Sequence, residues 1–314
     1  MIPEHEAYIE RQEGFTSVDG IRIHYEEYGS GEPVVLVHGL GASAAAWRRV
    51  APHLAEAGYR VLAIDLKGCG LSDRPPGDYS RKALAALVCG FMDNLGVSVA
   101  RAVVGHSMGG AIGLEIAATR PHRMDLLAVV DGVKVISPPW YLQAAAPVSP
   151  IVGTLASGVT ALSPTASRRF FVRLYLRRIY GDPSAVTDDV VDSYAAYADA
   201  GYQRAMFAML QHLGNTEDLA DRVRHLKVPT ILIWGREDPI CPVAWGEALH
   251  RELPDSELHV LEGCGHCTPE ERPGELAALL VDFFARRGPR ACSVSTDRLD
   301  TRAYRFRRRR ELLH

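Results

Sequence analysis

The chain has 314 residues, 47% of them hydrophobic, with 35 Lys and Arg against 38 Asp and Glu for a formal net charge of -3. That is enough apolar material for one large α/β domain or two small ones, and the near-neutral balance offers no overall basic field for nucleic acid or an acidic membrane surface. Six cysteines are too sparse for a disulfide scaffold, the opening MIPEHEAYIERQEGF lacks the basic start and apolar core of a secretory leader, and no run approaches a membrane span, so a cytoplasmic protein is expected.

Three β-like segments come first, at Phe15 to Val18, Ile21 to Tyr28 and Pro33 to Val37, set apart by the turn pairs Asp19-Gly20 and Ser30-Gly31. Helices and strands then alternate. The pattern predicts a helix over Ala44 to Ala57, a strand over Arg60 to Ile64 and an amphipathic helix over Ser80 to Leu95. A strand over Ala102 to Val104, a helix over Ser107 to Thr119 and a strand over Leu126 to Val130 follow. This is the rhythm of a parallel sheet with crossover helices.

The rhythm stops at Asp131-Gly132. From about Val135 to Leu219 there are only helical patterns, chiefly Ala166 to Tyr180 and Asp188 to Leu213, broken by Pro138-Pro139, Pro147, Pro150 and Gly181-Asp182-Pro183. Alternation resumes with a strand over Thr230 to Trp234, a helix near Ala244 to Glu252, a strand over Glu257 to Leu261 and a helix over Pro273 to Arg286. Past Gly288-Pro289 the chain is polar and rich in arginine. The expected division is an α/β core at 1–134 and 220–287, a helical insertion at 135–219, and a solvated, disordered tail at 288–314.

The densest chemical signal is Val103-Val-Gly-His-Ser-Met-Gly-Gly110, which sets Ser107 between a strand end and a helix start inside Gly105-x-Ser107-x-Gly109. So sharp a turn strains the serine backbone and exposes its Oγ, and glycines on both sides let strand and helix approach without Cβ clashes. The plain alternative is a glycine-rich turn with a serine N-cap; the flanking elements favour a nucleophile. A serine hydroxyl still needs a base, a group that orients the base, and donors for an oxyanion.

Of twelve histidines, His266 fits the base: it follows the strand ending at Leu261, in the short loop Gly263-Cys-Gly-His, and precedes the final helix, for which Thr268 is the expected N-cap. Asp238, in Trp234-Gly-Arg-Glu-Asp-Pro239, is placed to fix the imidazole tautomer and stabilise the imidazolium. Asp131 also ends a strand and is the second candidate, though bonding to backbone N–H groups in its own turn is the preferred reading; Glu237 is read as solvent-facing. The expected oxyanion donors are the backbone N–H groups of Met108 and of Leu40, in Val37-His-Gly-Leu-Gly41. His38 is read as bracing its loop, and His106 as packing or loop-bonding.

Cys264-Gly-His-Cys267 also resembles a redox pair or half a zinc site. A redox cysteine needs a helix N-terminus to stabilise its thiolate, whereas Cys264 precedes the expected helix start by several residues and Glu270 and Glu271 add negative charge. No further Cys or His completes a zinc ligand set. The segment therefore reads as Gly-x-Gly-His with an incidental cysteine, whose one consequence is a strained Cys264–Cys267 disulfide able to displace His266.

Taken together, His38-Gly-Leu-Gly41, Asp65-Leu-Lys-Gly-Cys-Gly-Leu-Ser72, Gly105-His-Ser-Met-Gly-Gly110, Gly235-Arg-Glu-Asp-Pro239 and Gly263-Cys-Gly-His266 resemble the α/β-hydrolase superfamily, specifically its capped HGxG, esterase- or lipase-like members. The likeness runs from about Gly14 to Arg287. It implies an eight-stranded, mostly parallel sheet flanked by helices, with the first strands antiparallel and a helical cap after the sixth. It supports Ser107, Asp238 and His266 as a triad, and gives Asp65, Gly68, Gly70 and Ser72 a mainly structural role. The implied activity is hydrolysis of a small to medium hydrophobic carboxylic ester through an acyl-enzyme, with no metal and no organic cofactor.

Cap aromatics including Trp140, Tyr141, Phe170, Tyr175, Tyr202 and Phe207 are divided between the cap's own core and the wall of an apolar pocket; Arg168, Arg169, Arg173, Arg177 and Arg178 are read as a solvated face. Ser107 argues against relatives that place an aspartate there, the epoxide hydrolases and haloalkane dehalogenases. Carbon-carbon bond hydrolases of ring-cleavage products, cofactor-free haloperoxidases or perhydrolases, and acyltransferases share the machinery. A ligand-binding sensor that keeps the triad is the reading from another class.

Overall fold

In a computed structural model, which describes residues 10–133, 135, 165–197, 199–213 and 216–288, eight strands form one sheet. They are β1 (Gln12–Val18), β2 (Ile21–Tyr28), β3 (Glu32–Val37), β4 (Tyr59–Ile64), β5 (Ala100–His106), β6 (Met124–Val130), β7 (Thr230–Gly235) and β8 (Ser256–Leu261). Their order across the sheet is β1-β2-β4-β3-β5-β6-β7-β8. β2 runs antiparallel to β1 and β4, and the remaining neighbours are parallel.

Why the central strands read as unbroken apolar runs is visible in their packing: side chains alternate between two cores, one on each face. Val35, Val37, Leu62, Ile64, Val103, Leu127, Val129, Leu232 and Trp234 face one core. It is closed by α2 (Arg81–Asn94), α3 (Met108–Thr119), α7 (Glu217–Val223) and α8 (Val243–Glu252). Val34, Leu36, Val61, Ala63, Val104, Ala128, Val130, Ile231 and Ile233 face the other, under α1 (Ala51–Glu56) and α10 (Pro273–Arg287). A sheet buried on both faces is a rigid platform, and its parallel strands deliver their carboxyl ends, with the loops that carry function, to one edge.

Helices α4 (Thr165–Ile179), α5 (Asp188–Ala195), α6 (Ala200–Leu213) and α7 lie between β6 and β7 in the chain. α4 and α5 form a small core of their own from Leu176, Ile179, Tyr180, Val186, Val190 and Val191, which also takes in Cys267. Trp140, Tyr141 and the arginine-rich tail from residue 289 lie outside the described residues.

Three expectations are corrected. The helix expected over Ala44 to Ala57 is a 3-10 turn (Ala44–Trp47) followed by α1, with a proline at the start of α1. Pro52 has no N–H, and its ring would strike the carbonyl four residues back, so a continuous helix is blocked and a fresh first turn is favoured. The helix expected over Asp188 to Leu213 is two, because Asp199 Oδ1 accepts the Tyr202 N–H at 2.8 Å and so caps a new start. Thr268 does not cap the final helix: it opens the short α9 (Thr268–Glu271), and α10 begins separately at Pro273.

Candidate active site

The nucleophile candidate sits where β5 turns into α3. Ser107 has φ 53° and ψ -115°, a conformation costly for a residue with a Cβ, and its side chain makes no capping bond to the helix behind it. The turn is held by close backbone packing. A Cβ on Gly105 would stand 2.2 Å from Gly109 O, and one on Gly109 would stand 2.2 Å from Val37 O. Only glycines permit that approach, and it leaves the Ser107 hydroxyl pointing away from the helix.

Three side chains expected to work together are brought together. Ser107 Oγ is 3.2 Å from His266 Nε2, and His266 Nδ1 is 2.7 Å from Asp238 Oδ2. All three residues are buried. Asp238 Oδ1 accepts the N–H groups of Ile240 at 2.7 Å and Cys241 at 2.8 Å, so the carboxylate is fixed before it reaches the imidazole. Burial opposes charge on His266, but the Asp238 carboxylate and the neighbouring Cys241 together outweigh it and hold the imidazole well above the ordinary histidine range.

Asp131 does something the sequence did not announce. Instead of bonding its own turn, it reaches two distant loops, accepting the Gly235 N–H at 2.8 Å and the Thr268 N–H at 3.3 Å. It thereby ties the end of β7 to the segment after His266. Its carboxyl is pushed well up by burial and by the charge of Asp238, and its φ of 47° is another non-glycine residue in the left-handed region.

His106 bonds a loop, as expected, and the loop is the one that carries His266. Its Nε2 donates to the carbonyl oxygen of His266 at 2.7 Å, and burial with the nearby His266 charge lowers its pKa to about 3. It is a neutral brace on the base-bearing loop. His38 acts similarly: Nε2 accepts the Leu66 N–H at 3.1 Å, so the proton lies on Nδ1, which donates to Gly39 O at 2.7 Å.

The Gly-Cys-Gly-His loop is moulded to the end of α4. The His266 N–H donates to Ile179 O at 2.8 Å, and a Cβ on Gly265 would stand 2.2 Å from that same oxygen. Glu271 accepts the N–H groups of Gly181, Gly265 and Cys267, while Tyr180 and Tyr194 both donate to Glu270 Oε2 at 2.9 Å. Glu237 is exposed but not idle, since it accepts the Cys264 N–H at 2.9 Å. Cys264 and Cys267 are free, buried thiols whose pKa values burial raises, so both are poor thiolates and neither behaves as a redox cysteine.

Leu40 and Met108 lie on opposite sides of the nucleophile in the chain. Met108 is the first residue of α3; the loop carrying Leu40 touches Ser107 through Gly39, where a Cβ would stand 3.0 Å from the serine Cβ. From the other side, Tyr202 of α6 donates its hydroxyl to Gly41 O at 2.8 Å. Tyr175 of α4, half exposed, stands close enough to His266 and Asp238 for their charges to act on its phenol. Three of the five arginines of α4 are engaged within the fold: Arg169 by Asp192 and Asp188, Arg173 by Asp188, and Arg168 by Ala195 O.

Residues 32–273 match the family model described as alpha/beta hydrolase fold. The chain is 32% identical to the uncharacterised hydrolase YugF of Bacillus subtilis (strain 168) over 273 residues, covering 85% of this chain and 96% of that one. It is 31% identical to a 2-hydroxy-6-oxo-6-phenylhexa-2,4-dienoate hydrolase of Comamonas testosteroni, covering 84% of this chain and 92% of the relative. Among solved structures it resembles the meta-cleavage product hydrolase CumD of Pseudomonas fluorescens IP01 at 28% identity and a TM-score of 0.73, covering 88% of this chain and 98% of that one.

Proposed function

The chain belongs to the α/β-hydrolase family, and from that premise we propose that it is a serine hydrolase of neutral, hydrophobic carboxylic esters. The observation that carries the reading is the continuous bonded path from Ser107 Oγ through His266 to Asp238, at 3.2 Å and 2.7 Å. Ser107 attacks the ester carbonyl as His266 Nε2 takes its proton. Asp238 holds the Nδ1 proton in place and stabilises the imidazolium. His266 then protonates the leaving alcohol, and in the second half it takes a proton from water, which opens the acyl-enzyme. The N–H groups of Leu40 and Met108 serve the oxyanion, a role in which one donor is worth roughly 100- to 1000-fold in turnover.

In this reading residues 135–219 are the cap and the substrate pocket lies between it and the sheet edge. Residues 135–167 contain no Asp, Glu, Lys, Arg or His, which suits an uncharged, apolar substrate. Cys69, Cys89, Cys241, Cys264 and Cys267 are all free, which accords with action in the reducing cytoplasm, and no helix among the described residues is long and apolar enough to cross a membrane.

A second reading, hydrolysis of a carbon-carbon bond in a ring-cleavage dienoate, is favoured by the similarity to the Comamonas dienoate hydrolase. Such a substrate carries a carboxylate and needs a cation to receive it, whereas Arg168, Arg169 and Arg173 are engaged by carbonyl and carboxylate partners within the fold. The ester is therefore placed first. Purified protein is expected to turn over p-nitrophenyl acetate or butyrate faster than 2-hydroxy-6-oxo-dienoates, with Ser107→Ala abolishing both. Dienoate turnover exceeding that of every ester reverses the order; turnover of neither leaves the ligand-binding sensor as the surviving class.

A further inference from the structure

Asp238 and His266 have a neighbour that the proposed reaction does not use. The loop between β7 and α8 curls around the Asp238 carboxylate, which accepts the Cys241 N–H at 2.8 Å, and Trp234 Nε1 donates to Cys241 O at 2.8 Å. Both bonds fix the backbone of Cys241, which is 1% exposed. Its thiol is thereby set beside the His266 imidazole, within 4.8 Å. The ligating atoms of Asp238, Cys241 and His266 all lie within 4.8 Å of one another.

We propose that Asp238, Cys241 and His266 form an inhibitory site for a thiophilic divalent cation, zinc being the type ion. Ligand atoms around a tetrahedral zinc are roughly 3.3–3.8 Å apart, so the widest separation in the trio needs to close by at most about 1.5 Å while the Asp238–His266 pair opens slightly. One sulfur, one imidazole nitrogen and one carboxylate oxygen suit zinc and exclude magnesium or calcium, which require oxygen.

The exchange is simple in atoms and protons. Cys241 releases its thiol proton to solvent and binds as thiolate. The His266 imidazolium that Asp238 favours releases its Nδ1 proton to solvent and keeps the one on Nε2, so that Nδ1 faces the metal in place of the hydrogen bond to Asp238. With Nε2 protonated, the imidazole no longer accepts from Ser107 Oγ, and the base is out of use. This inhibitory half rests on the proposed hydrolase reading; the metal-binding half does not. The plain alternative is a small core thiol packed with Ala111 and Val133.

The two halves are tested separately. Cobalt(II), a coloured stand-in for zinc, is titrated into the full chain. Wild type and Ser107→Ala are expected to show a thiolate-to-cobalt charge-transfer band in the near ultraviolet, and Cys241→Val to lose it. Zinc is expected to slow fluorophosphonate labelling of wild type at least tenfold, reversibly by chelator, and that of Cys241→Val less than twofold relative to its own zinc-free rate. A band that persists in Cys241→Val, no band in wild type at millimolar cobalt, or equal zinc inhibition of both proteins overturns the proposal. Cys241→Ala replaces the valine variant if that one does not fold. Wild type that resists labelling without metal sinks the hydrolase reading, while the cobalt band still decides the site.

Discussion

At the residue scale, the account turns on how Asp238 and its neighbours set His266. Only the neutral imidazole accepts the serine proton, and its pKa is raised, so kcat/KM should rise with pH through a midpoint above the ordinary histidine value of 6.5. Asp238→Asn should lower that midpoint and cut kcat by roughly 10⁴; a pH–rate profile with an unmoved midpoint contradicts the assignment. His106, lowered to about 3, stays neutral throughout and adds no second ionisation to that limb. Ser107, Asp238 and His266 were legible because each stands in a local pattern of strand, tight turn and helix. The partner of His106 and the job of Asp131 were not, because the residues they bond lie 160, 104 and 137 positions away and no periodicity links them.

Asp65 makes the same point about stability. It accepts the N–H groups of Ala44 at 2.7 Å and Leu71 at 2.8 Å and sits 2.8 Å from His24 Nδ1, while its own carbonyl accepts the Ser72 hydroxyl at 2.7 Å. A Cβ on Gly70 would stand 1.9 Å from its Oδ2, which is why the loop needs glycine there. Burial raises the Asp65 pKa, but His24, His38 and the two N–H groups together pull it below its ordinary 3.8. Its stabilisation is therefore present above that value and is lost as pH falls through the depressed one. Asp65→Ala should cost about 2–4 kcal/mol at neutral pH, by orphaning buried donors, as measured by urea unfolding.

At the scale of elements, the helices after β6 touch both the loop that bears Leu40 and the loop that bears His266. Tyr202 of α6 holds Gly41 O, so Tyr202→Phe loosens the loop that bears the Leu40 donor. A neutral hydrogen bond is worth about 0.5–1.5 kcal/mol, and kcat should fall roughly 2- to 12-fold with little change in KM; a change in KM alone assigns the tyrosine to substrate contact instead. The end of α4 presses Ile179 O against Gly265. Gly265→Ala is expected to destabilise by about 1–3 kcal/mol through overpacking and to slow serine labelling, since His266 is the next residue. An alanine variant that melts and labels like wild type removes that contact from the account. The errors in reading the elements have local causes: Pro52 breaks a periodic apolar stretch, and Asp199 caps a new helix inside another. Hydrophobic periodicity runs through both breaks, so pattern alone joins what the backbone separates.

Across the whole molecule, the eight-stranded, mostly parallel sheet followed from the resemblance, while the order of its strands followed from neither resemblance nor periodicity, because buried strands announce their existence and not their neighbours. Two apolar cores clamp the sheet, and the loops after β3, β5, β6, β7 and β8 meet at one edge, where Ser107, Asp238 and His266 converge from separate strands. The proposed reading puts substrate choice at a different level, in the residues between β6 and β7, because the fold alone does not set it. The measurement that tests the central claim most directly is fluorophosphonate labelling followed by peptide mapping. The account expects one adduct, on Ser107, which disappears in Ser107→Ala and slows sharply in Asp238→Asn. A native protein that takes no label, or takes it on another residue, contradicts it.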